Sequence, residues 1–155
     1  MKGKTTLFVP HMKSASGNIS FMPNSGPKSL FAKFIARRHD IDPNGSYDVI
    51  AHGSWKEIEV NTSSGIRRID ARQAARLIRR QSGFKKAKNV RLLSCSTGAH
   101  PEGFAQHLAN ALGKPVIAPN MTIHSYSDGR HWISDNGIKG EFKTYYPGGI
   151  KHGRK

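Results

Sequence analysis

The chain has 155 residues, one cysteine and a formal charge of +15, from 25 Lys and Arg against 10 Asp and Glu. This length suits one domain with its own core, and a single cysteine excludes an internal disulfide. No apolar run approaches the roughly 20 residues that span a bilayer, and the N-terminal run is too short for a signal peptide. A charge surplus of this size implies a polyanionic partner; a merely well-solvated basic surface is the alternative.

The first half of the chain alternates between predicted strands and helices. Residues 5–9 predict a strand, and the Ser-, Gly-, Asn- and Pro-rich stretch 12–26 predicts a loop. Pro27 opens a helix that a turn over 40–46 ends. Residues 47–54, "YDVIAHGS", predict a short strand that ends at His52-Gly53, and 55–60 with 65–69 predict a hairpin. The apolar stripe of the first helix comprises Leu30, Phe31, Phe34 and Ile35.

The second half continues the alternation. Asp70 is the predicted N-cap of a helix that turns Ala74, Leu77 and Ile78 inward and its arginines outward. "NVRLLS" (89–94) predicts a strand, His100-Pro101-Glu102 starts a helix that Gly113 ends, and 115–119 predicts a buried strand. Residues 130–147 predict a C-terminal β-hairpin, and 148–155 predict a flexible basic tail after a single domain over 1–147. The buried stripe of the last helix comprises Phe104, Ala105, Leu108, Ala111 and Leu112.

Strands joined by helical crossovers predict an α/β fold, with a mostly parallel central sheet and helices on both faces. In such sheets the ligand site lies at the carboxyl ends of the strands. Two of these ends carry His52 and Cys95, and adjacent strands lie only about 4.8 Å apart, so we expect an imidazole beside a thiol. Small residues at Gly53 and at Ser96-Thr97-Gly98 leave room for a substrate backbone and offer N–H groups to an oxyanion.

The sequence resembles the caspase-like cysteine peptidases in two motifs. One apolar strand ends in His-Gly, and some 40 residues later a second apolar strand ends in small residues and Cys. Such peptidases include caspases, gingipains, clostripain, separases and the self-cutting domain of repeats-in-toxin proteins. "VIAHGSW" and "VRLLSCSTG" look most like the bacterial toxin members. The stretch "LLSCSTGAHPEGFAQHLANALGKPVIAPN" is similar to small caspase-like domains of bacterial polymorphic toxins. The similar region runs over residues 47–120.

This resemblance implies a three-layer caspase-like sandwich and a catalytic dyad, with Cys95 as nucleophile and His52 as proton carrier. The backbone N–H groups of Gly53 and Cys95 would form the oxyanion hole. The expected activity is a thiol endopeptidase in a bacterial toxin, effector or toxin-processing module, whose substrate is a protein such as its own parent chain. No required cofactor is implied. The chain is shorter than the full self-cutting domain. The hairpin near 130–146 is the candidate for the flap that covers the substrate in that domain. The sequence assigns no acidic or basic S1 pocket.

Basic residues cluster between Arg67 and Arg91, on an amphipathic helix and a loop. Guanidinium groups arranged in this way suit phosphate contacts. The resemblance suggests an inositol polyphosphate as activator; RNA or DNA is the rival ligand, in a nuclease toxin that does not use the thiol. Phe84 is the one aromatic residue available there for base stacking. We call this set the basic ridge: Arg67, Arg68, Arg72, Arg76, Arg79, Arg80, Lys85 and Lys86.

Other patterns predict less chemistry. His100 and His107 would sit about 10 Å apart on one helix, which is too far for one metal ion, and His124 and His131 have only Asp128 near them. Asp48, at a strand start, is expected to face solvent, and the hydroxyl residues around Cys95 are expected to form a turn.

A third interpretation is a pseudo-enzyme that keeps the fold and only binds. The predicted location is the cytoplasm, or a target cell reached as part of a larger toxin, where an immunity protein is a further expected partner.

Overall fold

The computed structural model describes residues 10–15 and 17–148, so the predicted strand over 5–9 and residues 149–155 of the predicted tail lie outside the described residues. The described helices are α1 (Leu30–Ile35), α2 (Ala71–Arg79), α3 (Ser82–Lys86) and α4 (Phe104–Leu112), with a 3₁₀ turn over Pro27–Ser29. The described strands are β1 (Lys13–Ala15), β2 (Asn18–Ser20), β3 (Ser46–Ile50), β4 (Ile58–Thr62), β5 (Gly65–Ile69), β6 (Asn89–Leu93), β7 (Val116–Pro119), β8 (Ile123–Ser125), β9 (His131–Asp135), β10 (Ile138–Lys139) and β11 (Phe142–Tyr145).

The main sheet has six strands in the order β1-β2-β3-β6-β7-β11. β2, β3, β6 and β7 pair in parallel, whereas β1 and β11 pair antiparallel at the two edges. Strands β4 and β5 form a separate hairpin, and β8, β9 and β10 form a three-stranded sheet. The predicted α/β class is therefore confirmed, with a mixed main sheet.

Several local sequence signals have the predicted effect. The Asp70 side chain accepts a hydrogen bond from the Gln73 N–H, while the Gln73 side chain accepts one from the Asp70 N–H, which completes a capping box at the start of α2. Ala74, Leu77 and Ile78 of that helix are buried. Gly113 ends α4 with a positive φ of 72°, which glycine adopts without steric cost.

Four predictions of secondary structure are wrong in part. The predicted loop 12–26 contains β1 and β2, and a short helix, α3, follows α2 where a loop was expected. The helix predicted from His100 begins only at Phe104, because residues 99–103 form turns that bring the Phe104 N–H to the carbonyl of Trp55. The predicted C-terminal hairpin is confirmed for β9 and β10, but β11 leaves it and pairs with β7.

Two apolar cores cover the main sheet. The larger contains Val49 of β3 and Leu92 of β6 together with buried residues of α2 and α4. The smaller contains Ile50 and Leu93, the next residues along the same strands, together with Ile35 of α1 and residues of β8 and β9. Successive side chains of a strand point to opposite faces, so the two cores lie on opposite faces of the sheet. Within the described residues, no helix is both long and apolar enough to cross a membrane.

Candidate active site

The strand ends that carry His52 and Cys95 lie side by side. Strand β3 pairs in parallel with β6, and the last pair in register is Ile50 with Leu93. The Ala51 N–H continues the ladder by donating to the Leu93 carbonyl. His52 and Cys95 each follow two residues after that last pair, at the carboxyl edge of the sheet where open α/β sheets bind their ligands.

The two side chains have different neighbours. Cys95 packs against that core, like Leu93 two residues before it. The His52 ring contacts the backbone of Lys28, in the 3₁₀ turn that leads into α1, on the side where Ile50 is buried. The register of β3 and β6 places the two strand ends next to each other, as the order of the strands predicted.

The contact of His52 assigns its tautomer. Nε2 lies 3.0 Å from the carbonyl oxygen of Lys28. A carbonyl only accepts hydrogen bonds, so in the neutral ring the proton is on Nε2 and Nδ1 keeps its lone pair. A histidine held in this way can accept a proton at Nδ1. Sequence reasoning missed Lys28 because it acts through a backbone atom, which no residue type signals.

Cys95 is a partly buried, protonated thiol. Its Sγ lies 3.9 Å from the carbonyl oxygen of Ile123. Burial raises the pKa of Cys95 above its ordinary value, and the negative charge of Asp135 raises it further. A thiol in this environment is a nucleophile only when a base removes its proton during the attack, rather than as a standing thiolate.

Close backbone packing shapes the rest of the site. A Cβ on Gly53 would meet Thr97 Cγ2 at 2.9 Å, and one on Gly98 would meet the Ala118 carbonyl oxygen at 2.6 Å. These glycines let the turn after β6 lie against both neighbouring strand ends. Within the described part of the chain, neither the Gly53 N–H nor the Cys95 N–H donates to another residue.

The raised pKa predicts how Cys95 reacts with iodoacetamide. Below its pKa the thiolate fraction grows about tenfold for each pH unit, so the labelling rate should climb at about that slope from pH 7 to pH 8.5. The rate is measured by mass spectrometry, and the urea-unfolded chain, with an ordinary cysteine pKa, is the reference that labels faster at pH 7. Rapid labelling of the folded chain at pH 6 would instead reveal a preformed thiolate.

The prediction that Asp48 faces solvent, made from its position at a strand start, is wrong. Its side chain is 1% exposed and accepts hydrogen bonds from Arg38 at 2.7 and 2.9 Å and from Arg91 at 2.8 and 2.9 Å. Arg91 also pairs with Asp40 at 2.8 Å, and its hydrogen bond holds the pKa of Asp40 well below the usual range. His131 of β9 lies 3.0 Å from the same Asp40 carboxylate. This network ties α1, β3, β6 and β9 together on the face that carries Cys95.

The structure brings part of the basic ridge together. All eight of its side chains are exposed, and residues 71–101 contain eight Lys and Arg but no Asp or Glu. Arg72, Arg76 and Arg79 follow helical spacing and form one stripe on α2. Arg67 and Arg68 are neighbours on β5 and point to opposite faces of the hairpin, so they do not both extend this stripe.

Phe84, the aromatic residue predicted for base stacking, is 5% exposed and lies under the Lys114 ammonium, whose Nζ is 4.1 Å from the ring centroid. It is not available to stack on a base.

The remaining histidines make separate contacts. His100 precedes α4, so the prediction that it shares a helix face with His107 is wrong. The His100 ring stacks on the Trp55 ring, with the ring centroids 4.9 Å apart. His124 Nε2 lies 3.0 Å from the Ser134 carbonyl oxygen. In the described ranges, no three His, Cys, Asp or Glu side chains are grouped so as to hold a metal ion.

A family model matches most of the chain. The model of a family described as a domain of unknown function (DUF8616) matches residues 17–133, which include both His52 and Cys95. No curated protein matches the chain. Because the family match spans well over half of its length, the chain belongs to this family, the domain of unknown function DUF8616.

Proposed function

We propose that the chain is a cysteine endopeptidase that cleaves peptide bonds with a Cys95–His52 dyad, in a caspase-like three-layer arrangement. The observation that supports the proposal is the parallel register of β3 and β6, which brings the ends of the two strands that carry His52 and Cys95 next to each other at the carboxyl edge. The apolar cores on both faces of the sheet support the three-layer arrangement. A bacterial toxin or effector module, acting on its parent chain or on a target protein, remains part of the proposal.

The protonated thiol of Cys95 and the tautomer of His52 support a general-base mechanism. His52 Nδ1 takes the Sγ proton as Sγ attacks the scissile carbonyl carbon, because the buried thiol is protonated at rest. The N–H groups of Gly53 and Cys95 stabilise the negative oxygen of the tetrahedral intermediate. The imidazolium then gives its proton to the leaving amine, the C–N bond breaks, and a thioester to Cys95 remains. Water, deprotonated by His52, hydrolyses that thioester and restores the thiol.

The β9–β10 hairpin is the proposed substrate-covering flap. Its strand β9 contributes Ile133 to the core that contacts Cys95, and its His131 contacts Asp40 of the buried ion network. The hairpin therefore packs on the face of the sheet that carries Cys95.

The direct test is cleavage of a denatured protein mixture, or of the natural upstream chain, by the wild type and by Cys95→Ala. Both are assayed with and without inositol hexakisphosphate, the proposed polyanionic activator of the basic ridge. We expect new bands from the wild type alone, because no other residue supplies the nucleophile. Identical banding from the two proteins under every condition contradicts the proposal.

A second candidate function is a nucleic-acid-binding or nuclease toxin. The acid-free segment 71–101 and the stripe of Arg72, Arg76 and Arg79 favour it, whereas the buried Phe84 removes the expected stacking residue. Charge reversal along Arg76, Arg79 and Arg80 should then abolish activity, and Cys95→Ala should leave it intact. RNA binding whose affinity falls steeply with salt is the measurement that favours this function.

A further inference from the structure

A cavity of about 430 Å³ lies between β2, the segment before α1, and α1 itself. Its described lining includes three cationic side chains and no carboxylate. Two other cavities do have carboxylates in their lining: Asp70 and Glu102 in the cavity beside Trp55, and Glu141 in the cavity beside β9 and β10. Polar side chains complete its lining. The lining residues that matter here are Lys13, Lys33, Arg38, Asn24, Ser20 and Ser29.

The Arg38 guanidinium is a rigid, preorganised wall of this cavity. It is 5% exposed, and Asp48 and the Ile35 carbonyl accept three of its five N–H groups. The other two have no partner among the described residues. Its side chain is 1% exposed, so Arg38 fixes the shape of the cavity wall and leaves the contacts with an anion to the lysines.

Two ammonium groups complete the site. Lys13 and Lys33 are exposed, and neither forms a salt bridge with a carboxylate of the described part of the chain. The buried network behind Arg38 is balanced, since Arg38 and Arg91 face Asp48 and Asp40. The two lysines therefore give the cavity a positive potential that an anion would neutralise.

We propose that this cavity binds a small phosphate-bearing ligand, at a site separate from the basic ridge. Ser29 lines the cavity, and its neighbour Lys28 supplies the carbonyl that holds His52 Nε2. A ligand bound to this segment would restrain that carbonyl and thus the ring of His52. This link to His52 rests on the proposed function; binding at the cavity does not.

The test is titration of the full-length chain with inorganic tripolyphosphate by calorimetry, in the Cys95→Ala background so that peptidase activity plays no part. The double variant Lys13→Ala/Lys33→Ala should weaken binding at least about tenfold, and Asn24→Asp, which adds a carboxylate to the wall, should weaken it as well. The matched control, Lys85→Ala/Lys86→Ala, removes the same charge from the basic ridge and should change the affinity less than about threefold. The substituted lysines are exposed, so folding should be kept.

The other outcomes overturn the proposal. Loss of affinity in the ridge variant alone would place the ligand on the ridge. Equal, small losses in both variants would mean that tripolyphosphate binds diffusely to a basic surface. Histidine ring signals in NMR spectra test the link to the dyad: the His52 signal should move on binding in the parent and not in the lysine double variant. A His52 signal that stays in place while calorimetry shows binding would refute the link alone.

Discussion

Replacing Asp48 with alanine is expected to lower the free energy of unfolding by about 3–5 kcal/mol. The substitution leaves the buried positive charge of Arg38 without a counter-ion. The Arg38 side chain is 1% exposed and has no second carboxylate within salt-bridge distance among the described residues. Arg91, in contrast, still pairs with Asp40. A buried charge without a counter-ion destabilises the folded state by far more than the intact ion pair stabilised it. Urea unfolding followed by circular dichroism measures the loss.

The matched control is Asp128→Asn, which breaks the Arg130–Asp128 pair of nearly the same length, 2.8 Å against 2.7 Å, at a position where both side chains are more than half exposed. It should lower the free energy of unfolding far less than Asp48→Ala does, because solvent screens an exposed pair. The double variant Asp48→Leu/Arg38→Met removes both buried charges and should recover much of the lost stability. If Asp48→Ala and Asp128→Asn cost the same, Asp48 does not hold the fold as described.

Replacing His52 with alanine should lower kcat/KM for peptide cleavage by about 10²–10⁴-fold, the usual contribution of a general base. The protonated thiol of Cys95 would then have to lose its proton to water, so the remaining activity should rise steeply with pH. Because His52 is only partly buried, the free energy of unfolding should change little.

His39→Ala is the control, since His39 is exposed and follows α1 away from the dyad. A dyad also acts as a unit, so His52→Ala/Cys95→Ala should be no less active than Cys95→Ala alone. Equal cleavage by His52→Ala and His39→Ala would show that His52 is not the base, whatever the thiol does.

Local signals in the sequence were sufficient for much of the fold. The N-cap at Asp70, the helix stop at Gly113 and the alternating pattern of the hairpin each act within a few residues, so the prediction needed no tertiary information. Short strands were harder to predict. Strands β1, β2 and β8 have three residues each, too few for a period to be recognised, and they form because neighbouring strands pair with them.

The candidate site divides in the same way. The sequence by itself determined that His52 and Cys95 end two apolar strands, because a run of apolar residues stops at each. Only the tertiary structure decided that β3 and β6 are neighbours in register, that the Lys28 carbonyl fixes the ring of His52, and that Asp48 is buried between two arginines. Those facts depend on contacts between residues 10 to 43 positions apart. Pairing and burial over such distances follow from how the whole chain packs, which no local pattern encodes.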